Sequence, residues 1–519
     1  MVLTSDITII MLNKTLSEKF YFGLKWKGLT QVSVYTSQLL VTIIMARLLL
    51  PKDFGLLGIV QIFIAFSTTI VNMTIKPALI QKKEITADDM ASGNFIALIF
   101  GVLFLFLFWV GSYPLSIFFK IRELNGIMKI FGFKFIFDSM SIVSLSILRR
   151  EIDYKSLFFI SSVSIVVGQG CVPIVLALLN FGVYSLVFGS ISASIILFVS
   201  SFVIFRKKGY SFRIKYYKKE IIYILKFGLW TTFTNLVNLV AIRGDYFIIG
   251  KWLNTYLLGI YTKSYYLMQF GSTAIVEVFS NVLFPVLSRI QENKKKIKDF
   301  LIGFIPIMAL IVMSIMIFVI FYSEEIIMVV LGDKWSFAIA PLKTLAFFGV
   351  FRGVYKIFDS VILSLGKVKF QFFIHSLYAI LIIVSTLVGL KWGIIGISYG
   401  VGISIFIVSL LLAFYTSNIV NLQIKDWMLL LKPIVIYGSL FFIAIYIFKI
   451  KIHCSNYFFS LLFGIIFFLS LWVVIIVYLK LKYFNSEFYV LFESVIYLFP
   501  ISLRKYAVRI INDQKRVKI

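Results

Sequence analysis

The chain has 519 residues, 61% of them hydrophobic and 18% aromatic, and carries a formal net charge of +28. Its mean hydropathy of +0.99 exceeds what a soluble domain of this size needs to bury a core. Apolar runs of about 20 residues recur from end to end, which marks an all-α polytopic membrane protein and excludes a β-barrel, whose strands are short and alternating.

The N-terminus, "MVLTSDITII", has no cationic n-region, so no cleaved signal peptide is expected. Spans are expected at about 24–46, 54–75, 92–111, 125–147, 156–179 and 182–205. After a basic connection (206–220) they resume at about 221–249, 256–286, 300–322, 338–364, 369–390, 393–416, 429–448 and 457–480. About fourteen spans put both termini on one side. The segment 483–512 holds "FYVLFESVIYLFP", interrupted by Glu493, and reads as an interfacial helix or a terminal half-span.

Lys and Arg alternate between the connections. One side collects Lys14, Lys19, Lys25, Lys27, Lys82, Lys83, "LRREIDYK" (148–155), "RKKGYSFRIKYYKKE" (206–220), "RIQENKKKIK" (289–298), "GKVK" (366–369) and the tail "QKRVKI". The other side has scattered cations such as Arg47, Lys52, Arg122, Lys334 and Lys391. The positive-inside rule therefore accounts for the net charge and places both termini in the cytoplasm, with no nucleic-acid partner required. The opposite connections are short, the longest lying near "SEEIIMVVLGDKWS" (323–336), which leaves no room for the large external loop of a membrane glycosyltransferase, polymerase or ligase.

The chemistry-bearing inventory is sparse. Cys171 and Cys454 lie in or beside apolar segments and offer no disulfide or metal framework. His375 and His453 are the only histidines, which weakens any histidine-based catalysis or proton relay. There is no Walker A pattern, no metal-ligand cluster and no nucleophile–His–acid set, so neither an enzyme nor a cofactor is expected and an H⁺ or Na⁺ gradient is the expected energy source.

Residues 24–59 and 225–261 repeat one pattern. Both open Leu-Lys-aromatic, pass through a span with a polar stripe, reach a cation, and turn into a helix start carrying Leu-Leu-Gly-Ile. They begin the first and seventh spans, so the repeat is parallel. Gln31, Tyr35, Gln38 and Thr42 share one face of the first span; Thr231, Asn235, Asn238 and Asp245 share one face of the seventh. Such stripes face a cavity or another helix.

"ARLLLPKDFGLLGI", "PALIQKKEITADDM" (77–90), "ILRREIDYKSL" (147–157) and "GVYSLVFGS" (182–190) resemble the motifs of polysaccharide transporter flippases. The nearest group is the Wzx-like (WzxC-type) exporters of the multidrug/oligosaccharidyl-lipid/polysaccharide superfamily. "RGDYFIIGKWL", "GIYTKSYYL" and "FPVLSRIQENKKK" resemble that family's seventh and eighth spans and the following loop. "VNMTIKPALIQ" departs from the family, which has an acidic-Gly step there. The resemblance covers roughly residues 20–420. It implies an N-terminal lobe (1–205), the basic connection (206–220), a C-terminal lobe (221–417), two extra helices (418–482) and a basic tail (483–519) around a central cavity. It also implies an activity: moving undecaprenyl-pyrophosphate-linked oligosaccharide across a bacterial inner membrane, with a glycan polymerase and other assembly proteins as partners.

An anionic head group in such a cavity calls for fixed cations, with Arg favoured for its fork. Lys129, Lys134, Arg243, Lys263, Lys343, Arg352 and Lys356 lie within spans, against Asp138, Asp245, Glu277 and Asp359. Each buried charge costs roughly 2.5–3.5 kcal/mol on insertion scales. Arg352 sits mid-span with no acid at i±3 or i±4 and is the first candidate for substrate contact, followed by Arg243, Lys356 and Lys134. Lys134–Asp138 (i, i+4) and Lys356–Asp359 (i, i+3) also read as structural pairs, and Lys129, Lys263 and Lys343 as cations reaching the interface. Glu277, Asp245 and Asp359 are the ion-coupling candidates. A multidrug antiporter of the same superfamily is the alternative, although a cationic lumen suits an anion better.

Overall fold

The computed structural model describes residues 26–452 and 454–483, so His453 and the 483–512 segment beyond Tyr483 lie outside the described residues. The described residues form helices: α1 Trp26–Leu48, α2 Pro51–Gln81, α3 Ala87–Phe119, α4 Glu123–Gly132, α5 Lys134–Arg150, α6 Tyr154–Val163, α7 Val172–Leu178 and α8 Val183–Lys207. A π-helical stretch, Ser164–Cys171, joins α6 to α7. Then come α9 Lys218–Trp252, α10 Thr255–Arg289, α11 Lys294–Phe321, the short α12 Ser323–Ile326, α13 Ile339–Ser364, α14 Val368–Gly389, α15 Gly393–Val420, α16 Ile424–Lys451 and α17 Tyr457–Tyr483.

Local chemistry fixes where these helices begin. Pro51 opens α2, where its missing N–H is no loss. Thr86 and Asp89 form a capping box at the start of α3. The Asn254 side chain accepts from the Leu257 N–H at 2.8 Å to cap α10, and Asn293 caps α11 in the same way.

Eleven segments of the described residues are long and apolar enough to cross a membrane, and one of them, Val368–Val420, contains both α14 and α15. The helices α9 and α10 span 35 residues each and carry the polar positions of the seventh and eighth spans. The helices outrun the apolar cores expected from sequence: α2 and α3 each extend several residues past them at both ends. Capping and interhelical packing carry a helix beyond its hydrocarbon-matched centre.

One group of helices packs α3 on α4 and α5, and α5 on α8; a second packs α13 on α10, α11 and α15, and α14 on α9 and α15. The two meet along α2, which lies against both α9 and α10. Glycines permit that closeness. A Cβ on Gly55 would lie 1.7 Å from the Thr255 carbonyl oxygen, and one on Gly259 1.8 Å from that of Pro51. Farther along, Gly228 abuts the Thr74 backbone, and the Thr74 and Thr232 hydroxyls lie 3.2 Å apart. The seam thus runs between the helices that carry the sequence repeat.

The two ends of the bundle differ. At the lysine-poor end the groups are bolted together: buried Trp335 donates its indole N–H to the Ala46 carbonyl at 2.9 Å and packs its ring 5.4 Å from Phe54. Arg47 donates to the Val329 carbonyl and Lys251 to that of Phe118. At the lysine-rich end, Arg150 spreads its guanidinium over the carbonyls of Leu79, Ile80, Lys82 and Lys83, strapping α5 to the end of α2. Lys208 bridges Glu151 and Asp153 at 2.8 Å each. Burial alone would raise the Asp153 carboxyl, but hydrogen bonds from Lys208 and Ser156 bring it below the usual carboxylate range.

The helices α16 and α17 sit outside this arrangement. They attach through Lys298–Asp426 at 2.5 Å, a Lys449–Glu325 ion pair, Ser460 donating to Glu325 at 3.0 Å, and the Trp472 indole donating to Ser314 at 3.2 Å.

Candidate functional site

The charged stripe of α13 splits into two environments. Arg352 is only 4% exposed. Its guanidinium stands over the Tyr265 ring at 5.2 Å and lies within electrostatic reach of the Tyr355 and Tyr378 hydroxyls. Asp245, also buried, accepts 2.7 Å and 2.8 Å hydrogen bonds from the Tyr261 hydroxyl and the Tyr246 N–H, and interacts electrostatically with Arg352 and Arg243. Tyr246, Tyr261 and Tyr265 contact one another with ring centroids 5.8–6.2 Å apart, and Tyr355 and Tyr378 contact at 5.7 Å. Arg352 and Asp245 are therefore opposite charges inside a tyrosine layer built from α9, α10, α13 and α14. Arg243 is half-buried at its edge, 4.8 Å from the Tyr246 ring.

Toward the lysine-rich end, the stripe becomes wetter. Lys356 is half-buried and interacts electrostatically with Arg352, Asp359 and Glu277. Glu277 is exposed midway along α10 and accepts a hydrogen bond from Tyr35 of α1. Gln31 reaches Tyr35, and Thr42 reaches Tyr266 of α10, so the polar stripe of α1 faces α10 across the seam. On the seventh-span stripe, Asn235 and Asn238 are half-buried and Asp245 is buried; the Thr231 side chain lies outside the described residues.

Asp359 turns away from its sequence neighbour. Its Oδ1 accepts from the Gln371 amide at 2.9 Å and lies 3.1 Å from His375 Nε2. Lys134 is ion-paired with Asp138 at 3.1 Å and donates to the Ser194 hydroxyl at 2.5 Å, between α5 and α8. Sequence spacing exposes the Lys134–Asp138 pair but not the partners that α14 brings to Asp359, because those come from another helix.

Lys263 packs on aromatic rings near the lysine-poor end. Its ammonium lies over the Phe54 ring of α2 at 4.0 Å and 5.6 Å from the Tyr266 ring, directly on the seam. Among the described residues no carboxylate acts on it. Lys343 is exposed, and Lys129 lies 5.8 Å from the Trp109 ring. A further set, Lys27 of α1, Lys76 of α2 and Arg149 of α5, gathers close enough for mutual electrostatic repulsion near the lysine-rich end. The Arg150 strap ties α5 to α2, and Trp26 of α1 packs 5.3 Å from Phe158 of α6. Lys76 falls in the "IKPA" step noted above as a departure from the family, the one sequence signal that pointed there.

Cations drawn from both helix groups thus line or border one seam, closed at the lysine-poor end, with one exposed carboxylate in it. Such a surface attracts an anion and holds its charge away from hydrocarbon.

Comparison with known proteins agrees with this architecture. Residues 44–340 match the polysaccharide biosynthesis protein family. An uncharacterised membrane protein in the cps region of Klebsiella pneumoniae is 24% identical over 66% of this chain and 71% of its own. The teichuronic acid biosynthesis protein TuaB of Bacillus subtilis (strain 168) is 21% identical over 69% and 74%, respectively. The lipopolysaccharide biosynthesis protein WzxC of Escherichia coli (strain K12) is 20% identical over 74% and 78%. The fold superposes on the lipid II flippase MurJ in an inward closed conformation with a TM-score of 0.66, 16% identity and coverage of 86% of this chain and 98% of that one. An inward-facing MATE-family transporter of the MOP superfamily gives a TM-score of 0.61 at 12% identity, covering 76% and 98%. The chain is a multi-span membrane protein of the polysaccharide biosynthesis protein family, with a fold of the MurJ and MATE type.

Proposed function

We propose that this protein is a flippase that carries a lipid-linked oligosaccharide with an anionic diphosphate head group across a bacterial cytoplasmic membrane. Its two helix groups rock about the α2–α9–α10 seam and expose it to each side in turn. The observation that carries this reading is Lys263: a cation on the seam, stacked on aromatic rings and facing the opposite lobe. The family membership and the names of the relatives, which concern lipopolysaccharide and teichuronic acid synthesis, support a glycan cargo.

In this scheme Lys27, Lys76 and Arg149 gather the diphosphate at the lysine-rich, cytoplasmic mouth, and Lys263, Lys356 and Arg243 hold it along the seam. Arg352 and Asp245 hold the tyrosine layer in shape behind them. Both termini are cytoplasmic by the positive-inside rule, an ion gradient drives the cycle, and a glycan polymerase takes the delivered unit.

The test is reconstitution into proteoliposomes with fluorescently labelled undecaprenyl-diphosphate-N-acetylglucosamine as probe. Protein-dependent loss of probe protection from an impermeant quencher, reduced in Lys263→Ala, is the expected result. No protein-dependent flipping of this probe, together with export of a cationic dye, would replace the proposal with a multidrug-transporter reading.

A further inference from the structure

His375 does not fit a purely structural role. It is 5% exposed and sits on α14 with Nε2 3.1 Å from Asp359 Oδ1, while its Nδ1 is buried with no hydrogen-bond partner among the described residues. Asp359 Oδ1 also accepts from Gln371 at 2.9 Å. With Nε2–H donating to the carboxylate, Nδ1 is left as a bare buried lone pair, a cost of about 1–3 kcal/mol. The opposite tautomer places a lone pair against the carboxylate instead. Both arrangements leave a vacancy for a proton, and protonation at Nδ1 creates an imidazolium held against Asp359.

The surroundings suit such an exchange. Asp359 remains 19% exposed in its side chain and interacts electrostatically with Lys356, which in turn faces exposed Glu277 on α10. On α13 the other titratable neighbours are Arg352 and Tyr355; on α14, Tyr378, one turn from His375. On α9, Arg243 and Asp245 stand beyond the tyrosine layer, and α10 adds Tyr265. On α15, Tyr415 stacks on Phe370, and the helix carries no charged residue. A line of titratable groups therefore runs from the seam to a buried histidine that ties α14 to α13.

We propose that His375, paired with Asp359, is the proton-binding site that couples this protein's cycle to a proton gradient. The coupling rests on the flippase reading above; the proton site itself does not. One proton binds Nδ1 and leaves again in each cycle, moving opposite to the glycolipid, since an inward gradient drives outward transport only by exchange. Histidine suits the task because its ordinary protonation equilibrium falls in the physiological range.

The chain has two histidines, so a His453→Gln variant of the full-length protein in nanodiscs leaves a single imidazole for ¹⁵N NMR. The expected result is a pH-dependent change from neutral to charged ring signals, displaced in Asp359→Asn. A ring that keeps one protonation state at every pH at which the protein stays folded overturns the proposal, whether or not the protein flips lipids. In proteoliposomes, wild type should flip the probe faster under a pH gradient, with counter-movement of protons reported by entrapped pyranine. His375→Gln, whose amide keeps a donor to Asp359, should retain gradient-independent flipping and lose both the acceleration and the proton signal. Full acceleration in that variant would sink the coupling role, whereas a wild type that titrates but does not flip the probe would sink the flippase reading alone.

Discussion

Arg352 and Lys356 stand one helical turn apart on α13, yet the fold treats them differently. Arg352 is enclosed by tyrosines with Asp245 as its counter-charge; Lys356 is half-buried beside exposed Glu277 and partly exposed Asp359. A charge whose partner is supplied by the protein, in a dry layer, holds the helices together. One that borders water keeps its interactions exchangeable and suits binding or ion movement. A second contrast separates Lys134, whose partners Asp138 and Ser194 come from its own helix group, from Lys263, which meets an aromatic face of the other group on the seam.

The largest expected effect falls on the dry side. Arg352→Ala removes one of the two cations that act on buried Asp245, leaving Arg243, and costs at most about 3–5 kcal/mol, the value for a broken buried pair. We expect a marked drop in thermal stability and in membrane-extracted protein, partly restored by Asp245→Asn in the same chain. If Arg352→Ala unfolds at the wild-type temperature and loses only flipping, Arg352 contacts substrate and the contrast collapses.

On the seam, Lys263→Ala should fold normally and slow flipping about tenfold or more, from the ~1.5–3 kcal/mol of a lost charge-assisted contact. Lys263→Arg should keep most of the rate. A fall in stability equal to that of Arg352→Ala would show that Lys263 belongs with the structural charges.

Tyr35→Phe sharpens the comparison at the seam itself. It deletes the hydrogen bond to Glu277, worth about 0.5–1.5 kcal/mol, and should change the rate of seam opening with little change in melting temperature. Cysteine alkylation at position 38 in wild type and variant reads this out, and identical rates would mean that the bond does not hold the seam.

The smallest effect lies at the lysine-rich end. Asp153 is held below its ordinary range when folded, so its contribution is present above pH about 4 and lost as pH falls through the folded-state value. Because the pair with Lys208 is partly exposed, Asp153→Asn should cost at most about 1 kcal/mol at neutral pH and nothing in strong acid. Urea or thermal unfolding at both pH values checks the sign.

Much of the architecture was legible in the sequence because it follows from local quantities. Span positions come from apolar runs, helix starts from residues such as Pro51, Thr86 and Asn254, and the seam from the repeat at 24–59 and 225–261. The Lys134–Asp138 pair was equally readable, since an i, i+4 spacing fixes both partners on one helix. The aromatic partners of Lys263 were not readable for the complementary reason: distance from a span end says nothing about which neighbouring helix the side chain meets. His375 was set aside on a count of histidines, although what distinguishes it is an orphaned ring nitrogen that no count reveals.

The sequence by itself determined that this chain is a helical membrane protein with an excess of positive charge, because hydropathy, periodicity and charge alternation are properties of neighbouring residues. Only the tertiary structure decided which charges are neutralised. Asp245 comes within electrostatic reach of Arg352 on a separate helix 107 residues away in sequence, and Asp359 takes hydrogen-bond partners from His375 and Gln371 on α14. The cost of a buried charge depends on what surrounds it in space, and that is settled when the helices pack.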